Sequence, residues 1–227
     1  DGDSLNELTK GLRLVGEALK YALFRKGALT MPAGIVGGFV KSHPDLDEPD
    51  IQYHIAHATF KNPHKRIFDD FPGITIGPCQ LRPESRGSIH AKSPDMADAP
   101  DIAPNFLSEK TDCDVHIAGQ RMARDLVATA GFAPHVVREI SPGSDVATDE
   151  GLLDHARNTG ATLYHPVSTC KMGTDPNAVV DPELRVNGVT GLRVVDASIM
   201  PRLISGNTNA PTMMIAEKAA DMILADR

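Results

Sequence analysis

The chain contains Tyr164-His165-Pro166-Val167-Ser168-Thr169-Cys170-Lys171-Met172-Gly173, and later Ser205-Gly206-Asn207-Thr208-Asn209-Ala210-Pro211-Thr212-Met213-Met214. Between these two stretches runs Gly191-Leu192-Arg193-Val194-Val195-Asp196-Ala197-Ser198. The first stretch supplies an imidazole, and the second supplies a carboxamide at the expected start of a helix. Histidine titrates near neutral pH, so it suits the removal of a proton better than any other side chain. The pair therefore indicates proton removal from an alcohol beside an electron acceptor.

The composition indicates a globular chain that does not bind nucleic acid. Of 227 residues, 41% are hydrophobic and 23% charged, which is typical of a folded domain with a buried core. The length fits one large domain or two small ones. A net charge of -7 and an aromatic content of 4% argue against a nucleic-acid partner, which would need clustered Lys and Arg.

Cysteine usage and hydropathy exclude several other classes. The three cysteines, Cys79, Cys113 and Cys170, are scattered and form no CxxC pair, so we expect no disulfide framework and no bound metal. No apolar run reaches the length of a membrane span, and no signal peptide opens the chain. These features favour, weakly, a cytoplasmic protein. A hydrolase is disfavoured because no G-x-S-x-G elbow surrounds Ser168.

Four segments have helical periodicity. Residues 4–26 begin with a capping-box pattern, Ser4 and Glu7, and carry apolar residues at helical spacing. Ser108 precedes a second amphipathic segment, and residues 149–158 form a short third one. Thr208 or Asn209 is expected to cap a last helix that ends near Leu224.

Residues 34–92 favour strands instead. Short apolar runs alternate with turn formers at 35–40, 51–60, 74–81 and 87–92. Within 51–55 the alternation places Ile51, Tyr53 and Ile55 on one face. Residues 94–104 are proline-rich and predict an irregular connection, and brief strands are expected at 185–186 and 193–195. Together these segments predict an antiparallel sheet flanked by helices.

The two stretches near the C-terminal end, and the segment between them, resemble the C-terminal part of the glucose–methanol–choline (GMC) flavoprotein oxidoreductases, especially the choline-dehydrogenase-like branch. Upstream stretches resemble that family's substrate domain: Lys26-Gly27-Ala28-Leu29-Thr30, Ser85-Arg86-Gly87, and residues 100–108. The resemblance covers nearly the whole chain. Each motif is weak alone, but their order is highly specific.

The resemblance implies a cofactor and a set of site residues. His165 would be the catalytic base, or the charge partner of the alkoxide, and Asn207 would be the second active-site residue that orients the substrate. Hydride would pass to N5 of FAD. The positions that match family residues lying against the flavin are Asp196, Ala197, Asn209, Pro211 and Thr212.

The chain departs from the family at two points. Members carry an N-terminal GxGxxG unit for the FAD pyrophosphate, and the nearest cluster here, Gly34-Ile35-Val36-Gly37-Gly38, has the wrong spacing. The family usually has glycine where this chain has Ser168, so the serine adds a side chain beside the expected site. We therefore expect the chain to be the C-terminal portion of a longer enzyme.

The resulting prediction is an α+β chain without the Rossmann-like unit. Residues 1–160 would form the substrate-binding domain, and residues 161–227 the catalytic loop with the last strand and helix of the FAD domain. The predicted function is FAD-dependent oxidation of a primary alcohol to an aldehyde, which needs the N-terminal FAD-binding half as a partner. The alternative is a catalytically silent binding domain, and a homodimer is compatible with both.

Overall fold

The structure is a computed structural model that describes residues 4–32, 34–62, 65 and 67–226. The contacts divide the chain into two compact units. The first unit contains residues 1–80 and 115–161, and the second contains 81–114 and 162–227. The break between 161 and 162 lies one residue from the expected division, and residues 81–114 group with the C-terminal part of the chain.

The described residues form helices and antiparallel strands. The helices are α1 Leu5–Leu8, α2 Gly11–Phe24, α3 Lys110–Val127, α4 Asp149–Thr159 and α5 Asn209–Ala225, with short 3-10 turns at Ala28–Thr30, Ala133–His135 and Ala197–Ile199. The strands are β1 Val36–Val40, β2 Ile51–Ala56, β3 Phe60–Asn62, β4 Ile67–Phe68, β5 Thr75–Gln80, β6 Ser88–His90 and β7 Asp101–Ala103. The predicted mixture of helices and antiparallel sheet is confirmed.

The first unit is built on a three-stranded antiparallel sheet in the order β1-β2-β5. Ile51 of the central strand pairs with Val40 on one side and Gln80 on the other. Ile51 and Tyr53 are buried against Val115 of α3. The Tyr53 hydroxyl donates a hydrogen bond of 2.6 Å to the carbonyl oxygen of Gly119, so strand and helix are joined by a polar contact as well as by apolar packing.

The predicted first helix is broken in two, which corrects the expectation of one continuous helix over 4–26. Ser4 lies at the N-cap of α1, but its side chain makes no capping hydrogen bond. Helix α2 ends at Phe24 because Arg25 adopts a left-handed conformation. The stripe of apolar residues on α2 is exposed, with Leu12 89% and Leu23 71% accessible.

Helix α2 buries a charged residue instead. The Glu17 carboxylate accepts hydrogen bonds from the backbone N–H of Ala28 at 2.6 Å and from Lys20 Nζ at 2.9 Å. The bond from Lys20, and then the bond from Ala28, lower the pKa of Glu17. Gly27 has φ of 97°, and a Cβ there would lie 2.2 Å from Glu17 Oε2. The Glu17 carboxylate thus links the turn at 26–30 to α2 by a hydrogen bond. The spacing of apolar residues could not indicate this contact.

The start of α3 lies in the second unit and is capped from a distance. The hydroxyl of Ser85 accepts hydrogen bonds from the backbone N–H groups of Ser108 and Glu109. In return, the buried Asp112 carboxylate accepts from the backbone N–H groups of Glu84 and Ser85, both at 2.8 Å. Ser85 therefore satisfies N–H groups at the start of the helix, including that of Ser108, the expected cap.

The core of the second unit lies between α5 and the preceding loops. Its buried residues are Val180, Leu184, Ile199, Met200, Ile215 and Ala219. Ile215 and Ala219 stand one turn apart on α5 and face this core, as the periodicity predicted. The brief strands expected at 185–186 and 193–195 reduce to isolated bridges, Arg185 with Arg193 and Val186 with Val180. Strand β7 lies in the segment expected to be irregular, where it pairs with β6.

Among residues 4–32, 34–62, 65 and 67–226, no helix is both long and apolar enough to cross a membrane.

Candidate active site

The loop that carries His165 has an unusual backbone. Tyr164 has φ of 60° and Ser168 has φ of 72°, so two residues that are not glycine adopt the left-handed conformation on either side of the imidazole. The loop is tied to the segment at 198–200 by three hydrogen bonds. The backbone N–H of Cys170 donates to Ser198 O at 3.1 Å, that of Met172 donates to Ile199 O at 2.8 Å, and Ser168 Oγ donates to Met200 O at 2.8 Å.

The imidazole of His165 contacts two polar side chains, one at each ring nitrogen. Its Nδ1 lies 2.8 Å from Thr208 Oγ1, and its Nε2 lies 3.1 Å from Asn207 Nδ2. His165 is half-buried, Thr208 is buried and Asn207 is exposed. The structure therefore brings the two expected catalytic residues together, with Nε2 of the ring against the exposed Asn207 side chain.

Thr208 is a site residue that the sequence did not reveal. The sequence suggested Thr208 or Asn209 only as a helix cap. Thr208 does occupy the N-cap position of α5, but its side chain makes no capping hydrogen bond, because the hydroxyl contacts His165 instead. Its carbonyl oxygen accepts from both the N–H and the hydroxyl of Thr212, so the threonine is fixed by the first turn of the helix.

The residues expected to contact a cofactor lie on two neighbouring elements. Asn209, Pro211 and Thr212 form the first turn of α5, where Asn209 is exposed and the other two are half-buried. The first N–H groups of any α-helix lack partners within the helix, and Pro211 has no N–H to satisfy. This end of α5 therefore offers a positive dipole end and backbone donors beside His165.

Asp196 and Ala197 belong to the short turn at Ala197–Ile199, which contacts α5. Asp196 is exposed, and its Oδ1 accepts a hydrogen bond of 2.8 Å from the backbone N–H of Ser198. Ala197 is half-buried and packs against the core of the second unit. Asp196 thus has a local structural role in addition to the proposed one at the cofactor.

A further polar contact supports the loop that precedes α5. Arg82 Nε donates a hydrogen bond of 2.9 Å to Ser205 Oγ, two residues before Asn207. The pattern of the sequence could not indicate this contact, because the two residues are separated by 123 positions. Across the part of the chain that the structure describes, no three His, Cys, Asp or Glu side chains form a group suited to a metal.

Comparison with known proteins agrees with this arrangement of loop and helix. A model of the GMC oxidoreductase family matches residues 83–216, which include His165, Asn207 and the first turn of α5. The chain belongs to the GMC oxidoreductase family. This GMC chain contains the C-terminal region of the family, and the match begins just after β5.

Curated relatives place the chain close to enzymes that oxidise alcohols. It is 46% identical over 211 residues to "Alcohol dehydrogenase [acceptor]" of Pseudomonas putida, covering 93% of this chain and 38% of the relative. It is 44% identical over 187 residues to "Oxygen-dependent choline dehydrogenase" of Pseudomonas fluorescens, covering 82% of this chain and 33% of the relative. The GMC chain thus spans about a third to two fifths of the length of these relatives.

Solved structures confirm the fold. A formate oxidase of Aspergillus oryzae RIB40, in which FAD modification has been studied, superposes with a TM-score of 0.87 over 100% of this chain and 44% of its own. The two are 22% identical, so this likeness concerns the fold alone.

Proposed function

We propose that this GMC chain is the substrate-binding and catalytic part of an FAD-dependent enzyme that oxidises a primary alcohol to an aldehyde. The observation that carries the proposal is the pair of ring contacts at His165, which holds the imidazole in place and sets an amide donor beside its Nε2. The similarity to an alcohol dehydrogenase and a choline dehydrogenase supports the same chemistry.

His165 is proposed as the catalytic base. An alcohol hydroxyl is a very weak acid, so its oxidation is helped by a base whose pKa lies near the working pH. Nε2 contacts the exposed Asn207, and an alcohol that takes the place of the amide there could donate its hydroxyl proton to Nε2. The ring is held in place by Thr208 and by the loop at 164–173, so little reorientation is needed when substrate binds.

Asn207 is proposed to orient the alcohol and to stabilise its oxygen. A carboxamide cannot accept a proton at neutral pH, but its Nδ2 is a good donor to an oxygen that gains negative charge. With Nδ2 and Nε2 separated by 3.1 Å, one substrate oxygen could contact both groups. The hydroxyl proton would then move to Nε2 while Asn207 holds the oxygen.

The residues around α5 fit a flavin. The first turn of α5 presents backbone donors at the positive end of a 17-residue helix, which suits the negative charge of a reduced flavin. Asn209, Pro211 and Thr212 would hold the flavin there, together with Asp196 and Ala197. When bound, the flavin supplies the acceptor for the hydride that leaves the alcohol carbon.

The domain assignment and the partners follow from this function. We propose that residues 1–160 act as the substrate-binding domain and that residues 161–227 complete the FAD site. The remaining part of the flavin site would come from the FAD-binding half that the longer relatives provide for themselves. A cytoplasmic location and a homodimer remain predictions.

The test uses the complete enzyme, made by joining this chain to its FAD-binding half. Flavin absorbance and alcohol-dependent reduction of an acceptor are measured for the wild type, His165→Ala and the control His135→Ala, which removes an exposed imidazole of the first unit. Loss of at least about a hundredfold in turnover with flavin retained supports the proposal, since general bases contribute about 10²–10⁴-fold. Unchanged turnover in His165→Ala contradicts it.

One observation favours the alternative of a catalytically silent binding domain. The exposed apolar stripe on α2, which includes Leu12, Val15 and Leu23, is larger than isolated surface residues would explain. If the complete protein binds flavin but reduces no acceptor with any alcohol tested, the binding role gains support.

A further inference from the structure

The two contacts of His165 determine which ring nitrogen carries the proton. The Nδ2 group of Asn207 can only donate a hydrogen bond, so the ring atom that it contacts, Nε2, must present a lone pair. A neutral imidazole has one N–H, which therefore belongs to Nδ1. In this tautomer the N–H would donate to Thr208 Oγ1, which lies 2.8 Å from Nδ1.

We propose that Thr208 is a positioning residue that holds His165 in the Nδ1–H tautomer, so that Nε2 is the atom that accepts the proton from the alcohol. This inference rests on the proposed function. It identifies Nε2 as the atom of His165 that acts as the base, and Thr208 as the residue that keeps Nε2 unprotonated. In the opposite tautomer Nε2 would carry a hydrogen and could accept no proton from the substrate.

The surroundings of Thr208 suit this role. The residue is 8% exposed, so water competes poorly for its hydroxyl oxygen. Its β-branched side chain has few rotamers, and its carbonyl oxygen is bound twice by Thr212. The hydroxyl of an N-cap threonine ordinarily accepts a hydrogen bond from a backbone N–H of its own helix. Here that hydroxyl contacts His165 instead.

The proposed step is balanced in atoms and charge. The O–H bond of the alcohol breaks, its proton forms a bond to Nε2, and the ring becomes an imidazolium with hydrogens on both nitrogens. The Nδ1–H bond to Thr208 stays in place throughout. Asn207 moves from Nε2 onto the substrate oxygen, where its N–H meets the charge left by the proton.

The first test measures the tautomer directly. Proton–nitrogen correlation NMR of this chain with isotope-labelled histidine distinguishes a ring nitrogen that bears hydrogen from one that does not. The variant His165→Gln identifies the signals of His165 among the nine histidines. At a pH where the ring is neutral, we expect Nδ1 to carry a hydrogen and Nε2 to carry none. A bare Nδ1 in the wild-type chain overturns the inference, and this result needs no variant to fold.

Three threonine variants test the cause. Thr208→Val keeps the shape and removes the acceptor, so His165 should lose its preference for Nδ1–H, while Thr208→Ser should retain it. Thr159→Val is the matched control, because Thr159 also lies beside a histidine ring, that of His155, outside the site. It should leave the His165 signals unchanged. An unaltered tautomer in Thr208→Val overturns the role of Thr208.

The second test uses the complete flavin-loaded enzyme. Thr208→Val should lower kcat by about tenfold, the value of a typical hydrogen bond to a charged group, and Thr208→Ser should restore most of it. The two proposals can fail separately. If the wild-type chain has the expected tautomer but His165→Ala retains full turnover, the proposed function is contradicted and the tautomer assignment is not.

Discussion

Ser168 donates a hydrogen bond from its hydroxyl to the carbonyl oxygen of Met200 at 2.8 Å, although its own backbone has φ of 72°. A left-handed conformation is costly for a residue with a side chain, whereas glycine adopts it readily. The hydrogen bond offsets part of that cost and ties the His165 loop to the short turn that ends at Met200.

Substitutions at Ser168 separate these two effects. Ser168→Ala keeps the strained backbone and loses the hydrogen bond, so we expect it to destabilise the protein by about 1–2 kcal/mol. Ser168→Gly also loses the bond but relieves the strain, so its stability should lie within about 1 kcal/mol of wild type. Urea unfolding measures both. An alanine variant as stable as the glycine variant would show that the backbone strain has no energetic effect.

Removal of the amide of Asn207 should affect catalysis rather than folding. Asn207→Ala in the complete enzyme should lower kcat by about 10²-fold, as expected for the loss of one donor to a charged oxygen. The exposed Asn177 provides the matched control, since Asn177→Ala removes the same group from a distant loop of the same unit. Steady-state kinetics at saturating alcohol gives the comparison. Equal kcat in the two variants would remove Asn207 from the mechanism.

Tyr53 should make stability depend on pH in the alkaline range. Burial, together with the negative charge of Asp125, raises the pKa of Tyr53 from 10.0 to about 12. The neutral phenol is therefore favoured in the folded state. The stabilisation is fully present below pH 10, and it is lost as the pH rises from 10 to about 12, because the unfolded chain releases the proton first.

Denaturant unfolding of wild type and Tyr53→Phe at a series of pH values checks this expectation. The variant also loses the bond to Gly119 O, so it should be less stable than wild type at neutral pH. The difference between the two proteins should shrink above pH 10. A difference that stays constant up to pH 12 would contradict the raised pKa.

The close approach of α3 to β5 requires glycine at position 119. A Cβ on Gly119 would lie 2.7 Å from Pro78 Cβ and 3.3 Å from Pro78 Cγ. Gly119→Ala should therefore destabilise the protein by about 1–3 kcal/mol, as overpacked sites do. Gly131→Ala is the control, because a Cβ there meets nothing within 4 Å. It should be neutral or slightly stabilising in the same thermal unfolding measurement.

The strands of the first unit could be predicted because their signal is local. Apolar residues alternate with polar ones at Ile51, Tyr53 and Ile55. This two-residue period indicates an extended strand, whichever neighbouring strand pairs with it. The stripe on α2 shows the limit of the same reasoning. Its leucines have helical spacing and the helix forms, but the buried side chain is Glu17, whose partner at Ala28 lies in a later turn. Periodicity predicts a helix and leaves open which face is covered.

The caps of α3 and α5 show a second limit. Thr208 has a residue type that caps helices and lies at the N-cap of α5, yet its side chain makes no capping hydrogen bond. At the start of α3, the backbone N–H of Ser108, the expected cap, donates to Ser85. Ser85 caps α3 from 23 positions away, and Thr208 binds His165 across 43 positions. A sequence pattern identifies candidates for a short-range bond. It cannot exclude a long-range partner that competes for the same oxygen.

The sequence by itself determined the family, the mixture of helices and antiparallel strands, and the candidate chemistry in two C-terminal stretches, because residue type and spacing along the chain carry that information. Only the tertiary structure decided that His165 Nε2 faces Asn207 and that Nδ1 faces Thr208. The reason is physical: hydrogen-bond direction depends on the positions of atoms, and two loops brought together by the core of the second unit set those positions.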